Sequence, residues 1–291
     1  MKRQSSFKGA SAYGTLFLVP TPIGNLGDMT FRAVETLKNV DLIAAEDTRT
    51  TGLLLKHFAI ETRQTALHEH NWLEKIPKLL ATLKSGKSIA QVSDAGMPSI
   101  SDPGHELVLA ALDAEISVVS LPGASAGITA LIASGLASQP FTFHGFLPRK
   151  KNQQRLFLEQ HAASTETQIF YESPLRLVAT LANLLEIYGE REIVIARELT
   201  KIYEEYLRGT PSELLSALTE TPVRGECVLM VSGQSVPPLT EFTDTPLEAV
   251  HALIEAGTKP NDAIKQIAKA RDLNRQALYT DFHNWTHKEK K

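Results

Sequence analysis

The sequence predicts an α/β protein with a small helical extension at its carboxyl end. Strand-like apolar runs alternate with amphipathic helical stretches through the first half of the chain, which is typical of a largely parallel sheet. Further on, strand-like runs within 192–209 leave little room for a helix between them, which indicates a second, mixed sheet with an antiparallel pair. Three short helical patterns follow a proline-containing linker near the end.

The first sheet is predicted from five strand-like runs, with helices between and after them. The strands are expected at 16–19, 41–45, 63–67, 88–92 and 116–121. The helices are expected at 31–38, 48–57, 71–83, 104–114 and 127–134. This pattern predicts a flexible tail at 1–14 and an N-terminal α/β domain over 15–138.

The second sheet is expected to begin at Phe141. Its further strands are predicted at 168–171, 192–196, 205–208 and 226–231, and its clearest helices at 173–187 and 212–218. We therefore expect a C-terminal α/β domain over 139–233 and a linker over 234–245. The extension over 246–291 should hold helices at 246–255, 261–270 and 274–283, and the last two have the length of a helix-turn-helix.

Composition narrows the class of protein. The chain has 291 residues, of which 43% are hydrophobic and 22% charged, values typical of soluble globular proteins. No apolar run reaches the length of a membrane span, and the basic start of the chain lacks the apolar core of a signal peptide. The single cysteine, Cys227, excludes an intramolecular disulfide and a multi-thiolate metal site. We expect a cytoplasmic protein with neither membrane nor metal as a partner.

Two basic stretches permit an RNA partner despite the net charge of −3. Arg149, Lys150 and Lys151 form a compact cluster with Arg155. Residues 259–291 hold eight Lys and Arg against four Asp and Glu, which gives that tail a charge of +4. Basic runs of this size are more often solvated surface, so both interpretations stay open.

Segment 93–104 is the most informative part of the chain. It reads Ser-Asp-Ala-Gly-Met-Pro-Ser-Ile-Ser-Asp-Pro-Gly and connects a predicted buried strand to a predicted helix. Glycines at such a crossover let the backbone approach a ligand at the mouth of a parallel sheet. The loops at 20–25 and 46–49 should lie on the same edge. Ordinary turns and helix caps explain each loop alone, but several such loops on one edge indicate a ligand site.

Other motifs point to weaker alternatives. Gly-x-Gly-x-x-Gly and Walker A sequences are absent, which disfavours a dinucleotide or P-loop fold. Residues 123–127 match the Gly-x-Ser-x-Gly of serine hydrolases around Ser125, but no downstream histidine has a recognisable context. His68 and His70 lie two apart at a strand end and would share one side if the strand extends that far. They lack a third ligand, so a polar wall or a surface turn is favoured over zinc.

Nine segments, taken together, match one family in the right order over residues 15–233. They are 19–26, 45–49, 93–104, 121–123, 145–148, 170–174, 196–201, 208–210 and 224–226. In these segments the chain resembles the ribosomal RNA small-subunit methyltransferase I family, a branch of the tetrapyrrole-methylase-like superfamily. The helical tail also resembles that family's extension. Met97 and Ala124 depart from it, since the family usually has threonine and proline there.

The resemblance implies a fold and an activity. The fold would be that of class III methyltransferases, with two α/β domains of the tetrapyrrole-methylase type and S-adenosylmethionine in the cleft between them. The enzyme would be a homodimer that methylates the 2′-oxygen of a cytidine in the decoding region of 16S rRNA, within the small ribosomal subunit. The residues it places against the cofactor are Pro22, Asp94, Ala95, Gly96, Ser101, Pro122, Ala126, Tyr171 and Gly225.

The implied reaction also needs groups that receive the hydroxyl proton and hold the RNA. Glu46 and Asp47 are the first candidates for the catalytic base, and His68 and His70 the next. The residues expected to bind substrate are Arg49, Asn71, Arg149, Lys150 and Lys201. In an alternative interpretation, Glu46 only orients Arg49. Two other functions stay open: a tetrapyrrole C-methyltransferase and a non-catalytic RNA-binding factor of ribosome assembly.

Overall fold

The structure is a computed structural model that describes residue 4 and residues 12–100, 104–235, 244–271 and 273–288, with side chains to residue 285. The chain divides into two compact units, residues 1–234 and 235–291. The first unit contains two five-stranded sheets, and the second contains helices. The predicted tail at 1–14 and linker at 234–245 lie largely outside the described residues, and the predicted boundary after residue 138 stays a prediction.

The first sheet is entirely parallel, with strand order β3-β2-β4-β1-β5. Its strands are β1 (Thr15–Leu18), β2 (Leu42–Ala45), β3 (Gln64–Ala66), β4 (Ile89–Val92) and β5 (Ser117–Ser120). The associated helices are α1 (Phe31–Asn39), α2 (Thr48–His57), α3 (Trp72–Lys84), α4 (Gly104–Asp113) and α5 (Ala126–Ser134). The predicted α/β alternation is confirmed, and the five strands end at one edge of the sheet.

Helices cover both faces of this sheet, so its central strands are apolar on both sides. Ile43 packs with Leu37 of α1 on one face, whereas Leu16 packs with Leu83 of α3 on the other. All four residues of β4 are buried. Loops that follow these rigid strands are therefore held in place by the two apolar layers.

The second sheet is mixed, as predicted, with strand order β6-β7-β10-β8-β9. Its strands are β6 (Phe141–Phe146), β7 (Thr167–Glu172), β8 (Ile193–Arg197), β9 (Glu205–Gly209) and β10 (Cys227–Val231). β6 and β7 are parallel, and the other neighbouring pairs are antiparallel. The helices are α6 (Lys151–His161), α7 (Pro174–Tyr188) and α8 (Pro211–Glu220).

The sequence prediction missed helix α6, because its first turn coincides with the basic cluster. Most of its residues are polar, but Leu158 and Gln154 are buried against the second sheet and its helices. Gln154 Nε2 donates to Thr180 Oγ1 at 3.1 Å, and Gln154 Oε1 accepts a hydrogen bond from Asn183. Because Gln154 is polar although it is buried, the sequence of α6 lacks the apolar periodicity that predicts a helix.

The second unit contains α9 (Pro246–Glu255), α10 (Pro260–Ala270) and α11 (Arg275–Lys288), close to the three predicted helices. Its core is formed by Val250, Ala263, Ile264, Ala268, Leu278 and Phe282. Thr245 caps α9 and forms a capping box with Glu248.

None of the helices in the described part of the chain has the length and apolar character needed to cross a membrane.

Candidate active site

A cavity of about 590 Å³ lies in the first unit, where the strands of the first sheet end. The first sheet contributes residues from the loops after β1, β2, β4 and β5, and the second sheet contributes residues around the ends of β6, β7 and β8 and the start of β10. Most of the wall is apolar, with Glu46, Glu172 and Glu226 as its charged residues in the described part of the chain. Size and lining are typical of a small-molecule site.

Two loops of the first sheet are joined at the cavity by backbone hydrogen bonds. Thr21 N donates to Gly96 O and Gly96 N donates to Thr21 O, each at 3.0 Å. Thr21 Oγ1 is buried and donates to Ser93 O at 3.0 Å. Gly96 has a φ of +79°, which other residues adopt only with strain. This pairing holds the backbone of Ala95 and Gly96 against the cavity.

Glu46 lies on the wall of the cavity and is held by the neighbouring loop. The Asp94 backbone N–H donates to Glu46 Oε2 at 3.1 Å, and the Asp47 N–H donates to Asp94 Oδ1 at 3.2 Å. The loops after β2 and β4 are thereby linked in both directions. Asp94 itself is exposed and is not among the residues of the cavity wall, and its predicted contact with the cofactor stays a prediction.

Asp47 caps helix α2 and pairs with Arg49. Its Oδ1 accepts from the Arg49 N–H at 2.8 Å, and Arg49 Nη2 lies 2.6 Å from Asp47 Oδ2. The side-chain hydrogen bond from Arg49, together with its backbone hydrogen bond, lowers the pKa of Asp47 to about 2. A carboxylate with that pKa is a weak proton acceptor at neutral pH. The Arg49 side chain donates to both carboxylate oxygens of Asp47. The alternative in which Glu46 orients Arg49 stays a prediction.

The residues predicted to contact the cofactor divide into three groups. Ala95, Gly96, Ala126, Tyr171 and Gly225 line the cavity. Pro22, Asp94 and Pro122 do not line it, although Ile23 and Ser93, adjacent in the chain to the first two, do. Ser101 lies outside the described residues. The structure thus brings together residues from segments more than 100 positions apart.

The two histidines and Asn71 form a hydrogen-bonded turn after β3. β3 ends at Ala66, so the condition for His68 and His70 to lie along an extended strand is not met. Asn71 Oδ1 accepts from the His68 N–H at 3.0 Å, and Asn71 Nδ2 donates to Ala66 O at 3.2 Å. Neither histidine is among the described residues of the cavity wall. The polarity of this segment is explained by its own turn.

A carboxylate–lysine cluster supports the opposite wall. Lys201 Nζ lies 2.9 Å from Glu198 Oε1 and 2.9 Å from Glu226 Oε2. Glu198 Oε1 also accepts from the Glu226 N–H at 2.9 Å, and this bond, with that from Lys201, lowers the pKa of Glu198. A Cβ on Gly24 would lie 2.6 Å from Lys201 Cγ, so the lysine stem packs against the first loop. These contacts favour a positioning role for Lys201 over phosphate binding.

Three aromatic residues, which we name the aromatic rim, line the cavity on the side of β6 and β7. They are Phe143, Phe146 and Tyr171. The ring of Tyr171 contacts both others edge-on, at centroid distances of 5.0 Å and 5.4 Å. Burial raises the pKa of Tyr171, and a hydrogen bond with the backbone of Gly127 partly offsets it. The aromatic rim offers flat apolar surface to a ligand.

Arg149 and Lys150 are exposed and lie at the start of α6. Lys150 is the N-cap residue, but its side chain makes no capping hydrogen bond. Both residues follow Phe146 of the aromatic rim by only a few positions. Neither residue is among the described residues of the cavity wall.

Ser125 is the N-cap of α5 and lines the cavity. No histidine lies on the described part of the cavity wall, so the triad of a serine hydrolase is not assembled there. His144 instead stacks on Phe170, with a centroid distance of 5.0 Å and an interplanar angle of 12°. Across the described ranges no cluster of three or more His, Cys, Asp or Glu side chains could hold a metal ion.

Cys227 lines the cavity but is nearly buried, and burial raises the pKa of its thiol to about 11. Only the thiolate reacts with alkylating reagents, so iodoacetamide should modify the folded protein slowly at pH 8. We expect the rate to rise about tenfold per pH unit beyond pH 9. Mass spectrometry after short exposures measures it, with circular dichroism to confirm folding at each pH. The unfolded chain should level off near pH 9, and the same plateau in the folded protein would contradict the assignment.

Several wall residues could not be identified from the sequence. Ile23, Leu199 and Val228 are apolar residues of ordinary strand ends and carry no signal of their own. Glu172 lies within a matched segment, but its carboxylate is buried by Ser173, Arg176 and Thr180. Its role is to fix the end of β7 rather than to present a charge.

Comparisons with known proteins agree with the fold and the cavity described above. The family profile described as Tetrapyrrole (Corrin/Porphyrin) Methylases matches residues 15–215. The chain is 63% identical over 286 residues to Ribosomal RNA small subunit methyltransferase I of Streptococcus pyogenes, which covers 98% of this chain and 100% of that protein. It is 49% identical over 288 residues to the Bacillus subtilis protein of the same name, covering 97% and 99%.

Solved structures share the fold at low identity. Uroporphyrin-III C-methyl transferase from Thermus thermophilus, complexed with S-adenyl homocysteine, has a TM-score of 0.54 and 18% identity, covering 75% of this chain and 97% of that chain. A cobalamin biosynthetic enzyme, cobalt precorrin-4 methyltransferase, has a TM-score of 0.56 and 14% identity, covering 75% and 94%. With the sequence matches over nearly the whole length, these findings show that the chain belongs to the ribosomal RNA small subunit methyltransferase I family, within the tetrapyrrole methylases.

Proposed function

We propose that this enzyme transfers a methyl group from S-adenosylmethionine to the 2′-oxygen of a cytidine in 16S rRNA. The single observation that carries the proposal is the position of Glu46, a carboxylate on the wall of a mostly apolar cavity, in a chain that belongs to this family. The names of the relatives support ribosomal RNA of the small subunit as the substrate.

The cavity is suited to S-adenosylmethionine. Gly96 and Gly225 line it with positive φ values of +79° and +93°, so no side chain stands between their backbone and the cavity. Apolar walls and the inner rings of Phe143 and Tyr171 suit a nucleoside, and the carboxylate of Glu46 suits a positively charged sulfonium. When bound, this group supplies an electrophilic methyl carbon, and the electron pair of the broken carbon–sulfur bond stays with sulfur.

The ribose hydroxyl must lose its proton as its oxygen gains the methyl carbon. We assign Glu46 as the acceptor of that proton, since its carboxylate is on the wall and fixed by the Asp94 N–H. Asp47 is less suited, because Arg49 holds its pKa near 2. Neither His68 nor His70 is among the described residues of the cavity wall, so we rank them behind Glu46.

The RNA is expected to contact exposed cations around the cavity. Arg149 and Lys150 are exposed, and Arg49 is 90% exposed beside Asp47. Asn71 is occupied by its turn and is the least suited of the predicted substrate residues. The positive charge of 259–291 would add contacts with phosphates. A cytoplasmic homodimer acting on the assembled small subunit completes the proposal, on the basis of the family resemblance.

Methyl transfer tests the proposal directly. Labelled S-adenosylmethionine is incubated with the protein and with small ribosomal subunits from a strain that lacks the family enzyme. The modified ribose is then mapped. A 2′-O-methylated cytidine in 16S rRNA is the expected result. Methylation of porphyrinoid precursors in place of RNA would indicate the tetrapyrrole enzyme, and cofactor binding without transfer would indicate an assembly factor.

Lys201 provides a further test of the cavity wall. In Lys201→Met the stem that packs on Gly24 is retained, but both carboxylates lose their ammonium partner. Because the wall at Glu226 then loosens, we expect the affinity for S-adenosylmethionine to fall about tenfold. Isothermal titration calorimetry measures this. Lys150→Met is the matched control, expected to weaken RNA binding and to leave cofactor binding unchanged. If Lys201→Met loses affinity for RNA and keeps its affinity for S-adenosylmethionine, Lys201 binds phosphate and does not position the cavity wall.

A further inference from the structure

We propose that Phe146 is the stacking platform for the base of the acceptor nucleotide, with Arg149 and Lys150 on its adjoining phosphates. This inference rests on the proposed function and adds how the RNA is recognised. It rests on three observations: a bulge in β6, an anchored segment after the bulge, and the exposure of Phe146.

A β-bulge turns Phe146 towards the cavity. In the pairing of β6 with β7, Phe143 is opposite Ile169, but Gly145 is opposite Phe170, so His144 is an extra residue. In a regular strand, positions 143 and 146 would lie on opposite faces. With the bulge both rings contact Tyr171 on the cavity side, while His144 packs on Phe170. Bulges often re-aim side chains next to active sites.

Gly145 makes the bulge possible. Its φ is +69°, in the left-handed region, and a Cβ there would meet no atom within 4 Å. The constraint is therefore one of backbone conformation and not of space. Glycine adopts this conformation without strain, and burial of Phe146 does not explain the turn, since Phe146 remains 65% exposed. A ring turned to a cavity mouth without being buried points to a ligand.

The segment after Phe146 is anchored by a buried side chain and by hydrogen bonds to its backbone carbonyls. Leu147 is 2% exposed and belongs to the core of the second sheet. Arg176 Nη2 donates to Pro148 O at 2.7 Å and to Leu147 O at 3.2 Å, and Arg176 Nε lies 3.3 Å from Glu172 Oε1. Phe146 is thus presented by a fixed backbone. Stacking on a fixed ring costs less conformational entropy than stacking on a mobile one.

The exposed cations that follow distinguish a nucleotide from other flat ligands. Arg149 and Lys150 are exposed three and four residues beyond the ring, at the start of α6. An aromatic ring beside cations is the combination that binds single-stranded RNA, with the base on the ring and the phosphate on the cation.

The position of Phe146 favours the acceptor base over the adenine of the cofactor. Phe143 is the inner ring: a Cβ on Gly127 of α5 would lie 3.4 Å from Phe143 Cδ2. Small ligands are largely buried in their sites, and the inner walls around Phe143 and Tyr171 provide such burial. A ring at the mouth is instead reached first by a nucleotide that enters from a macromolecule outside.

Phe146→Leu tests the inference, with Phe146→Trp as the conservative variant and Phe31→Leu as the matched control, since Phe31 is 97% exposed and outside the cavity. We expect Phe146→Leu to weaken binding of the RNA substrate about five- to 100-fold, from the loss of one base stack. Phe146→Trp should restore binding, and calorimetry should show unchanged affinity for S-adenosylmethionine. A fluorescent cytidine analogue at the methylated position should be quenched by the wild-type protein and less by Phe146→Leu.

The outcomes separate this inference from the proposed function. If the wild-type protein methylates 16S rRNA but Phe146→Leu binds RNA as tightly as Phe31→Leu, only the stacking role is overturned. A parallel loss of cofactor affinity would assign the ring to the cofactor. A wild-type protein that methylates no ribose overturns both. Arg149→Gln and Lys150→Gln should each reduce the slope of log affinity against log salt by about 0.7, the value for one phosphate of a single strand.

Discussion

Glu46→Gln should lower kcat for RNA methylation by about 10²- to 10⁴-fold, the usual contribution of a general base. Glutamine has nearly the same shape, and its carbonyl oxygen can still accept the hydrogen bond that the Asp94 N–H donates to Glu46. The link between the two loops is therefore retained, whereas the ability to take a proton is removed. Single-turnover kinetics with saturating cofactor measures the effect, and calorimetry should show unchanged affinity for S-adenosylmethionine.

Asp47→Asn is the matched control for this experiment. Asparagine retains the oxygen that caps the Arg49 N–H, and Asp47 is a poor proton acceptor because its pKa is about 2. We expect kcat to change far less than in Glu46→Gln. If the larger loss occurs in Asp47→Asn, or if cofactor affinity falls in step with kcat in Glu46→Gln, the assignment of the base is wrong.

Gly225→Ala is the second change with a large expected effect. Gly225 has a φ of +93°, and its Cβ would lie 2.2 Å from Glu198 Oε1 and 2.4 Å from Glu198 Cδ. Glu198 cannot move aside freely, because it is bonded to Lys201 Nζ and to the Glu226 N–H. The wall of the cavity must therefore shift. From the usual cost of overpacking, we expect the affinity for S-adenosylmethionine to fall about fivefold to 100-fold, measured by calorimetry.

Gly135→Ala separates the backbone cost from the steric cost. Gly135 has a similar φ of +91°, but its Cβ would meet no atom within 4 Å. This control should lower the melting temperature without changing cofactor affinity. The double variant Gly225→Ala/Glu198→Ala removes the clashing carboxylate and should recover part of the lost affinity if the steric explanation is right. An affinity equal to that of the wild type in folded Gly225→Ala would contradict it.

The sequence was informative wherever periodicity or turn chemistry determined local structure. Alternating strands and helices predicted the parallel sheet, and the crowded strands at 192–209 predicted the antiparallel pair of β8 and β9. The loops with glycine, proline and acidic residues were expected at one edge, and those after β1, β2 and β4 meet at the cavity. Such features depend on neighbours in the chain, which a single sequence contains.

What the sequence left open depends on register and on pairing between distant segments. The adjacent carboxylates Glu46 and Asp47 differ in their contacts because Asp47 caps α2 and pairs with Arg49. The bulge at His144 depends on how β6 pairs with β7, and no residue pattern in the sequence predicts it. Lys201 was predicted to bind substrate, and the two carboxylates from different segments that hold its ammonium group could not be read from the sequence.

The shared cavity makes ligand affinity a property of the completed fold. Its walls join segments that leave the ribosome at very different times, from Ile23 to Val228. A nascent chain in which only the first sheet has folded has about half of the cavity wall. A ligand that binds only the complete cavity stabilises the native state, so this partly folded chain gains none of that stabilisation. Once the second sheet is in place, an occupying molecule bridges both, and local opening of either sheet must then expel it. In a cell with ample methyl donor, resistance to proteolysis and competence for methylation would therefore be acquired together.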